Sequence, residues 1–368
     1  MKQMEMLSPA RLCNAQSVVP MLQIKNAERR FAATPAVQGL SLDVAGGGVT
    51  CLLGPSGCGK STTLRLIAGI EKLDQGEIRI DGQVVSDASF TTPPERRPVG
   101  MVFQDLALFP HMTIAQNIAF GIPKAKRAEV QVGQLLDRVG LTGYGQKYPH
   151  MLSGGEQQRI ALIRALAAQP KIMMLDEPFS SLDQRLRAEM REFTLDLLRE
   201  SGTTAILVTH DPDEAMMMAD RIAVMDRGRI LQEGTPQNLY HRPAALPVAQ
   251  LLADLNMLQG NVRDGHVETK LGMIPAHGVA EGSNITCAIR PEHLRPCRCR
   301  PQTGNAQVLR VHSLGRESVI ELGLAGHAHR LRCNAPGSSD LVPGETVGLS
   351  FDPAHVMMFA ENSGLRLS

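Results

Sequence analysis

Gly54-Pro55-Ser56-Gly57-Cys58-Gly59-Lys60-Ser61-Thr62 is the stretch on which the fold turns. It fits G-x-x-x-x-G-K-[ST], the pattern of a phosphate-binding P-loop. Glycines let the backbone curl until successive N–H groups converge on an anion with no side chain in the way. Lys60 supplies a point charge for the outer phosphates, and the Ser61 hydroxyl is placed to ligate Mg²⁺. A helix starting here aims its positive end at the same phosphates. The run before the loop, Val49-Thr50-Cys51-Leu52-Leu53, reads as a buried strand, and STTLRLIAG after it reads as a helix closing at Gly69. In that setting the motif predicts a chain that binds a nucleoside triphosphate.

Outward from the loop, the pattern is one of alternation. Residues 1–20 show no periodicity and read as a loose extension. Alternating strands begin at Met21 and Leu40, with Phe31 between them, and residues 77–85 read as a hairpin around Asp81-Gly82. Pro93, Pro94 and Pro98 mark a loop before an apolar run over 99–103. From about 110 to 168 the period becomes helical: Val132, Leu135, Leu136 and Val139 form one stripe stopped by Gly140. Ser153 and Glu156 have capping-box spacing ahead of an Ala/Leu-rich helix that ends near Pro170. Strands follow over 171–176, 203–209 and 221–226, with a helix between the first two whose Leu186, Met190, Phe193 and Leu197 share a face. Parallel-type strands alternating with helices predict an α/β fold with its ligand at the strand carboxyl ends. The expected organisation is a nucleotide-binding domain over 21–240, a linker over 241–254 and a small all-β domain over 255–368, where short strands are broken by Gly, Pro and Asn.

Composition narrows the function. Lys and Arg number 38 against 37 Asp and Glu, which leaves no electrostatic footprint for nucleic acid. Aromatics make up 3% and Trp is absent, so stacking platforms for single-stranded bases are few. No apolar run approaches the roughly 20 residues that span a bilayer, and Glu5 and Arg11 interrupt any signal-peptide core. The expectation is a soluble, cytoplasmic chain. Seven cysteines in a long chain point to reduced thiols rather than a disulfide framework. Cys297 and Cys299 alternate with Arg298 and Arg300 and read as free thiols on a basic strand rather than a metal site, with Cys287 and Cys333 in the same small domain.

Asp176 and Glu177 end an apolar strand, where an Asp can hold Mg²⁺ through its water shell and the next carboxylate can polarise an attacking water. Together with Leu152-Ser153-Gly154-Gly155-Glu156-Gln157-Gln158-Arg159, the chain resembles the ATP-binding cassette (ABC) ATPases, whose signature motif this run matches. Val102-Phe103-Gln104 is similar to the family's Q-loop, Ser181-Leu182-Asp183 to its D-loop, and Val208-Thr209-His210-Asp211 to its switch histidine. The motifs come in the family's order and the resemblance covers about 21–240. It implies a P-loop NTPase cassette, a RecA-like core plus a helical subdomain, that binds ATP and Mg²⁺. By this resemblance Phe31 stacks on adenine, Gln104 reaches Mg²⁺ beside Ser61 and Asp176, Glu177 is the general base, and His210 contacts the γ-phosphate. Two cassettes are expected to meet head to tail, so that Ser153, Gly154 and Gly155 of one, with Asp183, complete the other's site. This sequence departs from the family where Ala32 follows Phe31 in place of the usual glycine, and where Glu156 replaces the commoner Gln.

The segment Phe109-Pro110-His111-Met112-Thr113-Ile114-Ala115-Gln116-Asn117-Ile118 resembles the part of importer ATPases that receives a permease helix. Arg290-Pro291-Glu292, within a strand-rich extension, resembles the OB-like regulatory domain of importers of ferric iron, polyamines, sulfate and maltose. The texture is closest to the ferric-iron type, with polyamine, sulfate or sugar as alternatives. The resemblance implies a peripheral subunit on the cytoplasmic face of the inner membrane. Its expected partners are permease subunits and, indirectly, a solute-binding protein. A soluble cassette ATPase of translation or DNA repair is the rival of another class. Such proteins usually carry two cassettes or a coiled-coil insertion, and neither is in this sequence.

Overall fold

The computed structural model describes residues 19–122, 131–298, 305–325, 330–361 and 363–367. The chain opens with β1 (Leu22–Phe31) and β2 (Thr34–Val44), an antiparallel hairpin turning at Ala32-Ala33, where Ala32 takes a φ of +52°. Phe31 is therefore the last residue of β1 rather than part of a connection. The all-buried β3 (Val49–Leu53) leads through the glycine loop into α1 (Lys60–Ala68). Next come β4 (Gln75–Ile80) and β5 (Gln83–Asp87), joined at Asp81-Gly82. Both turn residues have positive φ, +50° and +75°, the conformation a two-residue hairpin demands. These strands make a four-stranded antiparallel sheet of order β2-β1-β4-β5.

Among the described residues, strand β6 (Val99–Val102) is followed by three α-helices, α2 (Ile114–Phe120), α3 (Val132–Arg138) and α4 (Gly154–Ala167). Then β7 (Ile172–Asp176), α5 (Gln184–Ser201), β8 (Thr204–Thr209), α6 (Pro212–Met218) and the hairpin β9 (Arg221–Asp226)–β10 (Arg229–Gly234) complete a six-stranded sheet of order β10-β9-β3-β8-β7-β6. Strands β6, β7 and β8 pair in parallel, with Asp176 level with Val208. Every residue of β3, β7 and β8 is buried, which is why they read as continuous apolar runs rather than alternating ones.

After α7 (Pro236–His241), the expected linker holds a helix, α8 (Leu246–Leu252). Its buried Ala249 packs with Ala288, Met357 and Phe359. Ten strands follow. β13 (Gly272–Pro275), β12 (His266–Thr269), β11 (Asn256–Arg263), β14 (Asn284–Ile289) and β20 (Met357–Ala360) form one sheet in that order. β15 (Arg295–Cys297), β19 (Thr346–Ser350), β16 (Asn305–Ser313), β17 (Glu317–Leu324) and β18 (Leu331–Pro336) form the other. The two sheets share one apolar core that includes Leu258, Ile285, Val308, Ile320, Leu349 and the thiols of Cys287 and Cys333. Cys297 lies half-buried in β15, while Cys299 falls outside the described residues. The chain's far end returns to its middle: Gly364 C=O accepts from Leu246 N–H at 2.8 Å, and Arg366 N–H donates to Ala244 C=O at 2.9 Å.

By density of contacts the chain divides into two units, one up to Thr50 with Ser61–Val208, the other Cys51–Lys60 with Thr209 onward. The glycine loop falls in the second because it is fastened to the β9–β10 hairpin: Gly228 N–H donates to Cys58 C=O at 2.8 Å. Among the described residues no helix is long and apolar enough to cross a membrane.

Candidate active site

The glycine loop owes its shape to three positions. Gly57 and Gly59 hold φ values of +80° and +105°, open to glycine and strained for other residues. At Gly54 the need is space, because a Cβ there would lie 2.3 Å from the Met225 carbonyl oxygen. Pro55, Ser56 and Gly57 are exposed, so the rim of the loop is open, while Cys58 turns inward and burial raises its thiol pKa. Lys60 is 4% exposed, and its Nζ donates to the carbonyl oxygens of Gly54 at 2.7 Å and Pro55 at 2.9 Å. The loop's own carbonyls thus fix the ammonium in place. Thr62 follows in the first turn of α1.

Ser61 opens the other unit. Its Oγ donates to Asp176 Oδ1 at 2.9 Å, joining the start of α1 to the end of β7, and Asp176 is itself buried. Glu177 comes next with a φ of +45°, an unusual conformation for a glutamate, and its N–H is held by the Val208 carbonyl at 2.9 Å. Ser180 Oγ donates to the Glu177 carbonyl at 3.0 Å and accepts from Gln104 Nε2 at 3.4 Å. Strained backbone of this kind persists only where its surroundings over-determine it. The first unit therefore brings together Ser61, Asp176, Glu177 and Gln104. Ser180 is the joint that sequence reading missed, since a serine in a turn carries no pattern of its own.

On the C-terminal side, β8 runs level with β7 and ends at Thr209, so the exposed His210 follows directly at that strand's carboxyl end. Thr209 Oγ1 donates to the buried Glu214 carboxylate at 2.7 Å and accepts from Asp211 N–H at 3.0 Å. Asp211 in turn caps α6 through the N–H groups of Asp213 and Glu214. His210 thus sits between two side chains that are both committed to holding its turn.

The signature run lies apart within its own helix start. Ser153 caps α4, and the Glu156 carboxylate accepts from Ser153 N–H at 2.7 Å and from its Oγ at 2.8 Å. Those bonds hold Glu156 below the usual carboxylate range. A Cβ on Gly155 would meet Leu186 Cδ1 at 2.9 Å, so that glycine serves close packing of α4 on α5. Ser153 and Gly154 remain exposed. Asp183 spends its carboxylate as the N-cap of α5, accepting from Arg185 and Leu186 N–H groups. Phe31 is 43% exposed, with the Arg29 guanidinium 4.9 Å from its ring centroid.

Beyond Gln104 the chain takes two consecutive left-handed residues, Leu106 and Ala107, with φ of +60° and +45°. Arg164 of α4 donates to both of their carbonyls, at 2.8 Å and 2.6 Å. The buried Asn117 then ties the loop ahead of α2, bonding the N–H and C=O of Phe109 and the carbonyls of Met112 and Thr113. Phe109 packs against Phe120 at 4.5 Å between centroids, and Phe120 is largely exposed.

Two positive-φ glycines beside a nearly buried ammonium suit an anion such as a triphosphate, and within the other unit a hydroxyl paired with a carboxylate suits a hard cation. Comparison with known proteins agrees. Residues 37–180 match the family model described as ABC transporter, and residues 287–359 match the TOBE domain. The chain is 44% identical over 352 residues to an Fe(3+) ions import ATP-binding protein of Pseudomonas fluorescens, covering 86% of this chain and 99% of that one. It is 39% identical over 363 residues to a spermidine/putrescine import ATP-binding protein of Rubrobacter xylanophilus, covering 93% and 94%. Among solved structures, a dimeric ATP-binding cassette in a post-hydrolysis state with ADP and Pi aligns with a TM-score of 0.50 at 28% identity, over 59% of this chain and 99% of that one. The chain belongs to the ABC transporter family, in its branch of import ATPases that carry a C-terminal TOBE domain.

Proposed function

We propose that this ATPase works as one of two head-to-tail cassettes beneath a membrane permease and powers the uptake of ferric iron. The observation that carries its chemistry is the Ser61–Asp176 bond, which joins the phosphate-binding helix to the strand that leads to Glu177. In this reading Lys60 and the amides of the loop hold the triphosphate, and Ser61, Asp176 and Gln104 hold Mg²⁺. The ion, when bound, supplies positive charge to the phosphate oxygens. Glu177 takes the proton from the attacking water. Its backbone is fixed by Val208 and Ser180, and the Ser180–Gln104 bond couples the base to the segment running on towards Phe109. His210, on its own fixed turn, meets the γ-phosphate. Phe31, exposed at the end of β1, offers one face to adenine. Ser153 and Gly154, exposed at the start of α4, suit a partner's triphosphate better than their own, and Asp183 steadies the neighbouring helix.

In the same reading the cassette extends to about 240 and the regulatory domain begins near 255. The subunit sits at the cytoplasmic face of the inner membrane, and the solute-binding protein acts on it only through the permease. Ferric iron as cargo is supported by the name of the 44% identical relative, and a polyamine is the second reading, supported by that of the 39% identical one. Uptake of radiolabelled ferric iron and of labelled putrescine in cells lacking the gene separates them. Iron uptake is expected to fall and putrescine uptake to hold, and the reverse result would replace iron by a polyamine.

A further inference from the structure

We infer that Arg97 positions the phosphate-binding end of α1 by gripping the helix from its opposite end. This inference rests on the reading of the loop as an ATP site and goes beyond it, since Arg97 belongs to none of the nucleotide motifs.

Arg97 is 5% exposed, and each of its five N–H donors has an acceptor. Nη1 donates to the Leu66 and Ile67 carbonyls at 2.9 Å and 2.6 Å, which belong to the last turn of α1. Nη2 donates to the Val85 carbonyl at 3.1 Å and to Ser86 Oγ at 2.7 Å on β5, and Nε to the Thr92 carbonyl at 2.8 Å. Every partner is neutral, and among the described residues Arg97 forms no ion pair. Burial pushes the guanidinium down to about 10, so it stays charged at neutral pH. The fit leaves no slack: at Gly69, whose φ is +78°, a Cβ would lie 2.5 Å from Arg97 Nε.

A buried cation without a counter-ion is costly where packing is all that is needed, and an apolar side chain would fill the space more cheaply. What this cation does that an apolar one cannot is meet the negative end of the α1 dipole and satisfy the carbonyls orphaned there. Helix α1 has nine residues and is about 14 Å long, short enough to tilt as a rod. Its other end carries the Ser61 hydroxyl bonded to Asp176. Arg97 also stands two residues ahead of β6, the strand that delivers Gln104. One side chain therefore sets both the helix that offers Ser61 and the strand that leads to Gln104.

Arg97→Lys keeps the charge and loses the fork, whereas Gly69→Ala displaces the fork and keeps the charge. Both are compared with wild type below the onset of unfolding, which is measured separately for each protein. The readouts are the equilibrium Kd of a fluorescent ATP analogue without turnover, and KM and kcat for ATP. We expect Kd and KM to rise about tenfold in either variant while kcat stays within about twofold, because a tilted helix offers the phosphates a misplaced cradle. Lowered thermal stability with unchanged Kd and KM in a folded variant would overturn the inference, as would a fall in kcat alone. Failure of both variants to fold would overturn it too, since Arg97 would then hold the fold rather than the site. A wild type that binds no nucleotide would instead sink the ATP-site reading.

Discussion

Glu177 is held in a left-handed conformation by two bonds to its backbone, and in the proposed reading the triphosphate is held by Lys60 and the loop amides rather than by its carboxylate. Binding and hydrolysis should therefore separate at this residue. Glu177→Gln is expected to cut turnover by about 10²–10⁴-fold while nucleotide affinity is retained, and to trap an ATP-bound dimer visible by size-exclusion chromatography with Mg-ATP. Undiminished hydrolysis would remove Glu177 from its role. The buried thiols behave differently. Cys287 and Cys333 are pushed by burial from 9.0 to about 12, so the folded protein keeps protons that the unfolded chain gives up as pH rises. Their stabilisation is fully present below pH 9 and is lost as pH climbs towards 12. Iodoacetamide at pH 8 should label neither thiol in the native protein and both in urea. Urea midpoints should fall less steeply above pH 9 in the Cys287→Ala, Cys333→Ala double variant.

At the scale of elements, what was legible in the sequence is what lies contiguous along it. The P-loop, the Asp176-Glu177 strand end and the Ser153–Glu156 cap each occupy one short run, and local geometry alone dictates their residue types. The hairpin at Asp81-Gly82 was readable for the same reason. Arg97, Ser180 and the Thr209–Glu214 pair were not, because their partners come from other elements and a single polar residue has no period. Helix α8 was hidden by its Pro and Ala content and by its shortness; tertiary burial, not propensity, makes it. Asn117 belongs to this class, and it gives the segment before α2 a fixed shape that presents Phe109 and Phe120 as an aromatic pair. Phe109→Ala is expected to abolish transport and co-purification of the permease while ATPase activity of the isolated chain changes less than about twofold, since aromatic anchors dominate docking energy. Loss of folding would show that Phe109 is a core residue instead.

At the scale of the molecule, the turn after β14 joins the strand-rich region to α7. Arg290 stacks over the Tyr240 ring, 3.3 Å from its centroid, and donates to the Tyr240 carbonyl, while Glu292 accepts from the Tyr240 hydroxyl. Arg290 is nearly buried, so its removal strips a charge-assisted bond and a cation–π contact together. Arg290→Ala should destabilise the chain by roughly 2–4 kcal/mol in urea denaturation and leave the KM for ATP unchanged. A loss below about 0.5 kcal/mol would mean that the contact is incidental. The return of residues 364–367 to Ala244, Leu246 and Met358 has a consequence for how the protein is made. Synthesis releases α8 long before the ribosome has translated the segment that pairs with it. Every residue assigned to ATP is out and able to fold while α8 still waits for that clasp. A nonsense mutation just after β20 would therefore spare every residue proposed to act on ATP and still yield a polypeptide in which α8 was never fastened.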